Sequence, residues 1–206
     1  CDAAATANPR FHTNHRDCKR GQGWQTVDSG LTGLALLAFL GAGHTSKDGD
    51  YKKTVRDGLQ YLIQTQQANG CFASVKEVSD HHYPYSHAIC VMAMAEAYGM
   101  TGSRVFEEPA QRGVQFIASM QNEYLAWRYG TPDFKPKDND NDSSVTGWVI
   151  LACKSARLAE LVVPDIIFDG GKKWINMMTD PAYGKVGYKD KGGGGARLEG
   201  SKAAPN

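Results

Sequence analysis

LTGLALLAFLGAGHTSKDGDYKKTVRDGLQYLI, residues 31–63, changes its hydrophobic habit halfway along. Over 31–41 nearly every position is apolar or small, the composition of a helix that protein surrounds. From Tyr51 onward the apolar residues fall on one stripe, Tyr51, Val55, Leu59, Leu62 and Ile63. Lys52, Lys53, Arg56, Asp57 and Gln60 take the opposite face. That is a helix that covers a core with one side and meets water with the other. A pair of this kind cannot bury itself, because its first helix needs neighbours on several sides.

The same order returns twice. Residues 88–98 and 145–161 are again apolar or small for most of their length. The first is followed by the stripe Phe106, Ala110, Val114 and Ile117, the second by Ile167, Trp174, Ile175 and Met178. Each pair closes with a polar helix end, a turn and an aromatic: QTQQANGCF at 64–72, MQNEYLAWRY at 120–129, MTDPAYGKVGY at 178–188. An earlier copy of the turn stands as GQGW at 21–24. Trp24, Phe72, Trp127 and Tyr188 are thus spaced by 48, 55 and 61 residues, an internal repeat with loops of varying length. In such a repeat one helix of each hairpin lines the inside, its partner the outside, and neighbouring pairs bury each other's faces.

The predicted fold is therefore all-α, a stack of three to four helical hairpins. Gly41 and Gly43 are expected to end the first inner helix, Gly99 the second, and Asn69 with Gly70 the first outer helix. Pro109 is expected in a helix first turn and Pro164 at a helix start, where a missing N–H costs little. No stretch alternates long enough for a sheet. Residues 1–23 read as an irregular arm, 24–190 as the repeat domain, and 191–206, with four successive glycines, as a flexible tail.

A chain of 206 residues suits one domain with a substantial core. Lys and Arg number 23 against 22 Asp and Glu, and they are scattered, so no field draws in nucleic acid or an anionic membrane. The longest apolar run, 31–42, is far short of the roughly 20 residues that cross a bilayer, so no transmembrane segment is expected. The first residue, Cys1, fits either a lipid anchor on a mature lipoprotein or a fragment boundary. The former would agree with an exported, periplasmic or cell-surface location. Cys18, Cys71, Cys90 and Cys153 match no zinc spacing. Cys90 and Cys153 are expected as buried thiols, and a Cys18–Cys71 bridge is conceivable in an exported protein.

TGLALLAFLGAGH at 32–44, YLIQTQQANGCF at 61–72, YSHAICVMAMAEAYGMTG at 85–102, WRYG at 127–130 and SSVTGWVILACKSARLAEL at 143–161 together resemble a known group. They are similar to bacterial proteins, of the kind found in planctomycetes, that carry prenyltransferase and squalene-oxidase repeats. The likeness covers residues 24–190. It implies the α/α toroid of the squalene-cyclase and prenyltransferase superfamily. Toroids of that family close with about twice as many hairpins, so the resemblance implies a partial ring.

In triterpene cyclases of that family an acidic cluster at the start of an inner helix protonates an alkene or epoxide. The resemblance places this catalytic role on Asp138, Asp140 and Asp142, in DNDNDSS at 138–144, although the family pattern is Asp-x-Asp-Asp followed by Thr. A strong acid of that kind needs a dry apolar cavity, and this loop is hydrophilic. Two other roles suit the same residues. Asp142, or Ser143 after it, fits a helix cap with the other carboxylates in solvent. Asp138, Asp140 and Asp142 at alternate positions also fit calcium, though Ser143 stands where a calcium loop has glycine and Val149 where it has an acidic ligand.

His81, His82 and His87, with Tyr83 and Tyr85, gather just before the second inner helix and read as an aromatic surface cluster in preference to a metal site, with Tyr83, Tyr85 and His87 candidates for contacting a ligand. The prenyltransferase zinc set is not carried over, because no Asp-x-Cys pair stands at an inner-helix start. Trp127, Arg128, Tyr129 and Trp148 suit stacking on a sugar or contacting a peptide along a concave face, as well as packing between hairpins. GCFAS at 70–74 is not a thioester sequence, and no phosphate loop, nucleophile elbow or dinucleotide fingerprint appears.

The function expected is a non-catalytic module that binds a protein, glycan or apolar ligand, or that assembles through its exposed end hairpins, with no cofactor. The alternative is a terpene-cyclase or prenyltransferase-like enzyme, which rests on the resemblance alone.

Overall fold

The computed structural model describes residues 27–73, 83–122, 125–129, 141–189 and 191–192. Six α-helices account for most of them: α1 (Asp28–Gly41), α2 (Lys52–Thr65), α3 (Tyr83–Thr101), α4 (Arg104–Ser119), α5 (Ser143–Leu158) and α6 (Asp165–Met178). The only β-type pairing among the described residues is an isolated bridge between Thr179 and Val186. Helices α1, α3 and α5 lie side by side with α3 central, while α2, α4 and α6 each pack on the helix before them. Helix α3 is buried along most of its length. The Gly-rich stretch 193–206 and the arm to residue 26 lie outside the described residues.

The striping of the outer helices decides which face they bury. Val55, Leu59 and Leu62 of α2 are fully enclosed, as are Ala110, Val114 and Ile117 of α4 and Ile167 of α6. The inner helices divide. Only α3 is surrounded by protein as its composition predicts. Helix α1 leaves Leu31 55% and Leu34 42% exposed, and α5 leaves Leu151 48% and Leu158 74% exposed. These helices are as apolar or small in composition as α3. What they lack, among the described residues, is a further helix beyond them.

Several boundaries differ from the sequence reading. Helix α3 starts at Tyr83, so Tyr83, Tyr85 and His87 belong to its first turns instead of a loop before it. Gly99 lies inside α3, and Gly102, with φ at +59°, follows its end. Pro109 sits inside α4, in the second turn instead of the first, where it leaves the Val105 carbonyl without its usual helical donor. Pro164 takes the cap position of α6, as expected.

Glycine sets the distance between helices. A β-carbon on Gly30 would meet Ser86 Oγ at 2.6 Å, and one on Gly33 would meet Ile89 Cγ2 at 2.9 Å, so α1 lies against α3 with almost no space between backbones. Each outer helix does the same to its inner partner, through Gly58 on Leu36, Gly113 on Val91 and Gly171 on Ile150. Gly113→Ala would press a methyl within 2.6 Å of Val91 Cγ2 and 2.8 Å of Phe72 Cε2, and is expected to cost about 1–3 kcal/mol in a denaturant melt. Gly147→Ala meets nothing within 4 Å. It is expected to stabilise by about 0.5–1 kcal/mol through helix propensity alone.

The turns that close the first two hairpins are built alike, with Gln66, Gln67, Gly70 and Phe72 of the first matched by Gln121, Asn122, Leu125 and Trp127 of the second, each displaced by 55 residues. Gln66 Nε2 donates to Gly70 O (3.0 Å) and to Pro109 O (2.9 Å). Gln121 Nε2 donates to Leu125 O (3.0 Å) and to Ile166 O (3.1 Å). Each glutamine therefore ties its own turn to the next outer helix. Gly70 N–H bonds Gln67 O (2.9 Å), and Leu125 N–H bonds Asn122 O (2.8 Å). Both turns need a left-handed residue, Gly70 at φ +94° and Leu125 at φ +78°, which at leucine costs about 1–2 kcal/mol.

The turn aromatics follow the same rule. Phe72 N–H donates to His87 Nδ1 of α3 (3.1 Å) and Trp127 N–H to Thr146 Oγ1 of α5 (3.3 Å). In both cases the next inner helix holds the backbone of the aromatic that precedes it.

Candidate functional site

Asp142, Arg128 and three tyrosines meet where α5 begins. Tyr85 comes from the first turns of α3, Tyr129 from the segment after the α4 turn, and Tyr188 from the turn after α6. The second and third hairpins thus contribute to one cluster. The start of α5 is anchored to the last turn: Ser143 N–H donates to Tyr188 O (3.0 Å), Ser143 Oγ–H to Gly187 O (2.8 Å), and Trp174 Nε1–H to Ser143 Oγ (3.2 Å). Asp142 N–H donates to Trp127 O (3.1 Å), which fixes the other side.

The hydroxyls form a connected chain: Tyr188 Oη lies 3.1 Å from Tyr129 Oη, Tyr129 Oη 2.9 Å from Tyr85 Oη, where either hydroxyl can donate, and Tyr85 Oη 2.9 Å from Ser144 Oγ. The three rings are half-buried, and Ser144 is exposed. Burial raises the pKa of Tyr85 above the ordinary phenol range. The same cause raises Tyr188, helped by its bond with Tyr129 and by the Asp142 charge. Tyr85 and Tyr188 are therefore neutral hydroxyls at physiological pH.

Asp142 lies beneath them, fully buried. Its Oδ1 accepts from Val145 N–H at 2.7 Å, the bond of an N-terminal helix cap. Its Oδ2 is buried without a hydrogen bond of good geometry, although the Tyr188 hydroxyl and Arg128 act on the carboxyl to favour its charge. Burial outweighs them and pushes the Asp142 pKa up. Asp142→Asn keeps an oxygen for Val145 and removes the buried charge, so it is expected to be at least as stable as the parent at neutral pH. Asp142→Ala loses the cap and is expected to cost about 1–2 kcal/mol, both read from urea midpoints.

The other residues singled out in the sequence divide between this cluster and the core. Tyr83 is buried and donates to Met120 Sδ (3.2 Å). His87 is fully buried. Its Nδ1 accepts from Phe72 N–H, so Nε2 carries the proton and donates to Gly113 O (3.1 Å); burial lowers its pKa to about 4. Trp127 is buried and its Nε1–H donates to Ile117 O (3.0 Å). Trp148 is half-buried against the core. Tyr83, His87 and Trp127, expected on a ligand-facing surface, are therefore interior packing groups. Tyr85, Arg128 and Tyr129 do come together, and Asp142 joins them as a cap. Asp138 and Asp140, with His81, His82, Trp24 and Cys18, lie outside the described residues. Cys71, Cys90 and Cys153 are all buried, and burial pushes the Cys153 thiol up to about 12.

No group of three or more His, Cys, Asp or Glu side chains is placed to hold a metal ion among the described residues. No described helix is long and apolar enough to cross a membrane. No family model, curated protein or solved structure matches the chain.

Sequence reasoning missed Tyr188 and Ser144 as members of the cluster. Tyr188 carried a signal, since it stands at the position of Phe72 and Trp127 in the repeat. Nothing local showed that it would be half-exposed and turned toward Tyr129 instead of buried.

Proposed function

We propose that this chain is a three-hairpin arc of an α/α toroid-type repeat, related to prenyltransferase and squalene-oxidase repeat proteins. On this reading it works as a non-catalytic binding or assembly module. The observation that carries the reading is the recurrence, at a displacement of 55 residues, of a turn with the same glutamine tie, left-handed residue and aromatic, on helices in which α1, α3 and α5 lie side by side. The polar groups nearest the expected site support a binding role over chemistry. His87, Thr146 and Asp142 Oδ1 are each spent on a backbone N–H. The half-exposed Tyr85, Tyr129 and Tyr188 hydroxyls above Arg128 suit the hydroxyls of a glycan or the carbonyls of a peptide.

One observation favours an enzyme instead: Asp142 is a buried carboxyl of raised pKa beside three tyrosines, the setting in which carboxyls serve as acids. Incubation with squalene, oxidosqualene and prenyl diphosphates, followed by mass spectrometry of the products, separates the two readings. The module reading expects no turnover. Turnover that Asp142→Asn abolishes would overturn it.

A further inference from the structure

The two end faces are matching halves of an interface that the chain already makes inside itself. TGLALLA at 32–38 of α1, HAICVMA at 87–93 of α3 and TGWVILA at 146–152 of α5 share one register. In that register Gly30, Tyr85 and Ser144 are equivalent, as are Gly33, Ala88 and Gly147, while Leu31, Ser86 and Val145 form the matching set on the other side.

Helix α1 meets α3 by pressing Gly30 on Ser86 and Gly33 on Ile89 and Cys90. The positions that α5 offers in the place of Gly30 and Gly33 are Ser144, which is exposed, and Gly147, which has open space where a β-carbon would stand. The positions that α1 offers in the place of Ser86, Ile89 and Cys90 are Leu31, Leu34 and Ala35, and all three are exposed. In α5 the equivalent Val145 and Val149 are fully buried against the core. One end therefore carries the unused donor half of the internal helix contact, and the other carries its unused acceptor half. A large apolar residue at 42–55% exposure opposite a small-residue face is a surface waiting for an occupant.

We propose that the occupant is a second copy of this chain, docked head to tail, with Ser144, Gly147 and Leu151 of one copy seated on Leu31, Leu34 and Ala35 of the next. This rests on the repeat reading above and adds the partner and the contact. The contact is heterologous, since it joins two different patches, so it either closes as a ring or runs on. The contact continues the α1–α3 and α3–α5 packing in the same register.

Sedimentation velocity of the full chain through the micromolar range, together with paired cysteine variants, tests the proposal. The parent is expected to associate with a mass that rises with concentration. Gly147→Leu, whose β-carbon enters open space in the single chain, is expected to melt no lower than the parent under dissociating conditions while weakening association about tenfold or more. Leu31→Cys mixed with Ser144→Cys is expected to form an interchain disulfide that neither variant forms alone. A chain that stays monomeric at every concentration would overturn the proposal, as would a Leu31→Cys variant that cross-links only to itself. Either result leaves the module reading standing, because that reading fails only on turnover.

Discussion

His87→Ala is expected to lower the stability of the fold by about 3–4 kcal/mol. The side chain is enclosed between Phe72 and Phe116, with ring centroids 5.9 and 4.8 Å away, and it joins two backbone groups that have no water to turn to. Removing it strands the Phe72 N–H, at about 1–3 kcal/mol, and leaves a cavity as well; the Gly113 carbonyl keeps its helical donor within α4. His87→Phe fills the space but leaves the Phe72 N–H stranded, so it should recover only part of the loss. Urea melts of the two variants give the comparison. If His87→Ala melts like the parent, the histidine is no strut, and a role toward a ligand becomes the better account.

The same residue predicts a pH dependence. Its folded pKa, about 4, lies below the unfolded value of 6.5. Above pH 6.5 both states are neutral and the strut contributes fully. As pH falls below 6.5 the unfolded chain takes the proton first, and stability declines until the folded histidine also protonates near pH 4. The gap of about 2.5 pKa units amounts to about 3 kcal/mol. Asp142 works in the opposite sense. Its folded pKa is raised, so the folded state gains on the unfolded as acid protonates the buried carboxyl. In His87→Phe the decline between pH 6.5 and 4 is expected to vanish, and what Asp142 contributes should then be visible by itself.

Trp127→Ala is expected to cost about 3–5 kcal/mol, the range for emptying a large buried aromatic site. The ring is among the largest fully buried side chains, and it stands where the second hairpin meets the third. Its indole N–H bonds Ile117 O, its own N–H bonds Thr146 Oγ1, and its carbonyl accepts from Asp142 N–H. Trp127→Phe keeps most of the volume and loses the Nε1 bond, for an expected cost of about 1–2 kcal/mol. A further readout distinguishes packing from ligand binding. Because the buried Trp127 ring anchors the segment whose backbone bonds Thr146 and Asp142 at the start of α5, its loss should also disturb the Tyr85, Tyr129 and Tyr188 chain, visible in the tyrosine near-ultraviolet circular dichroism.

The sequence marked the helices well because helix period and composition are local. Residues 52–65 announce which face is buried through Val55, Leu59 and Leu62 at helical spacing, and the structure buries those three. The turn aromatics were equally legible: Phe72 and Trp127 stand in turns with the same bonds. The sequence was less informative where it gave one reading to three inner helices. Helices α1, α3 and α5 have nearly the same pattern, and nothing in 31–41 or 145–161 tells how many neighbours each will have.

Sequence alone therefore determined the element types and the alternation of the helices, because both follow from hydrophobic spacing along the chain and from the conformational habits of glycine and proline. Tertiary structure alone decided what each side chain meets. It put His87 inside as a strut, Asp142 under three tyrosines as a cap, Tyr188 beside Tyr129, and left Leu31, Leu34 and Leu151 uncovered. Burial and hydrogen bonding belong to pairs of surfaces brought together from distant positions, and no stretch of sequence contains both members of such a pair.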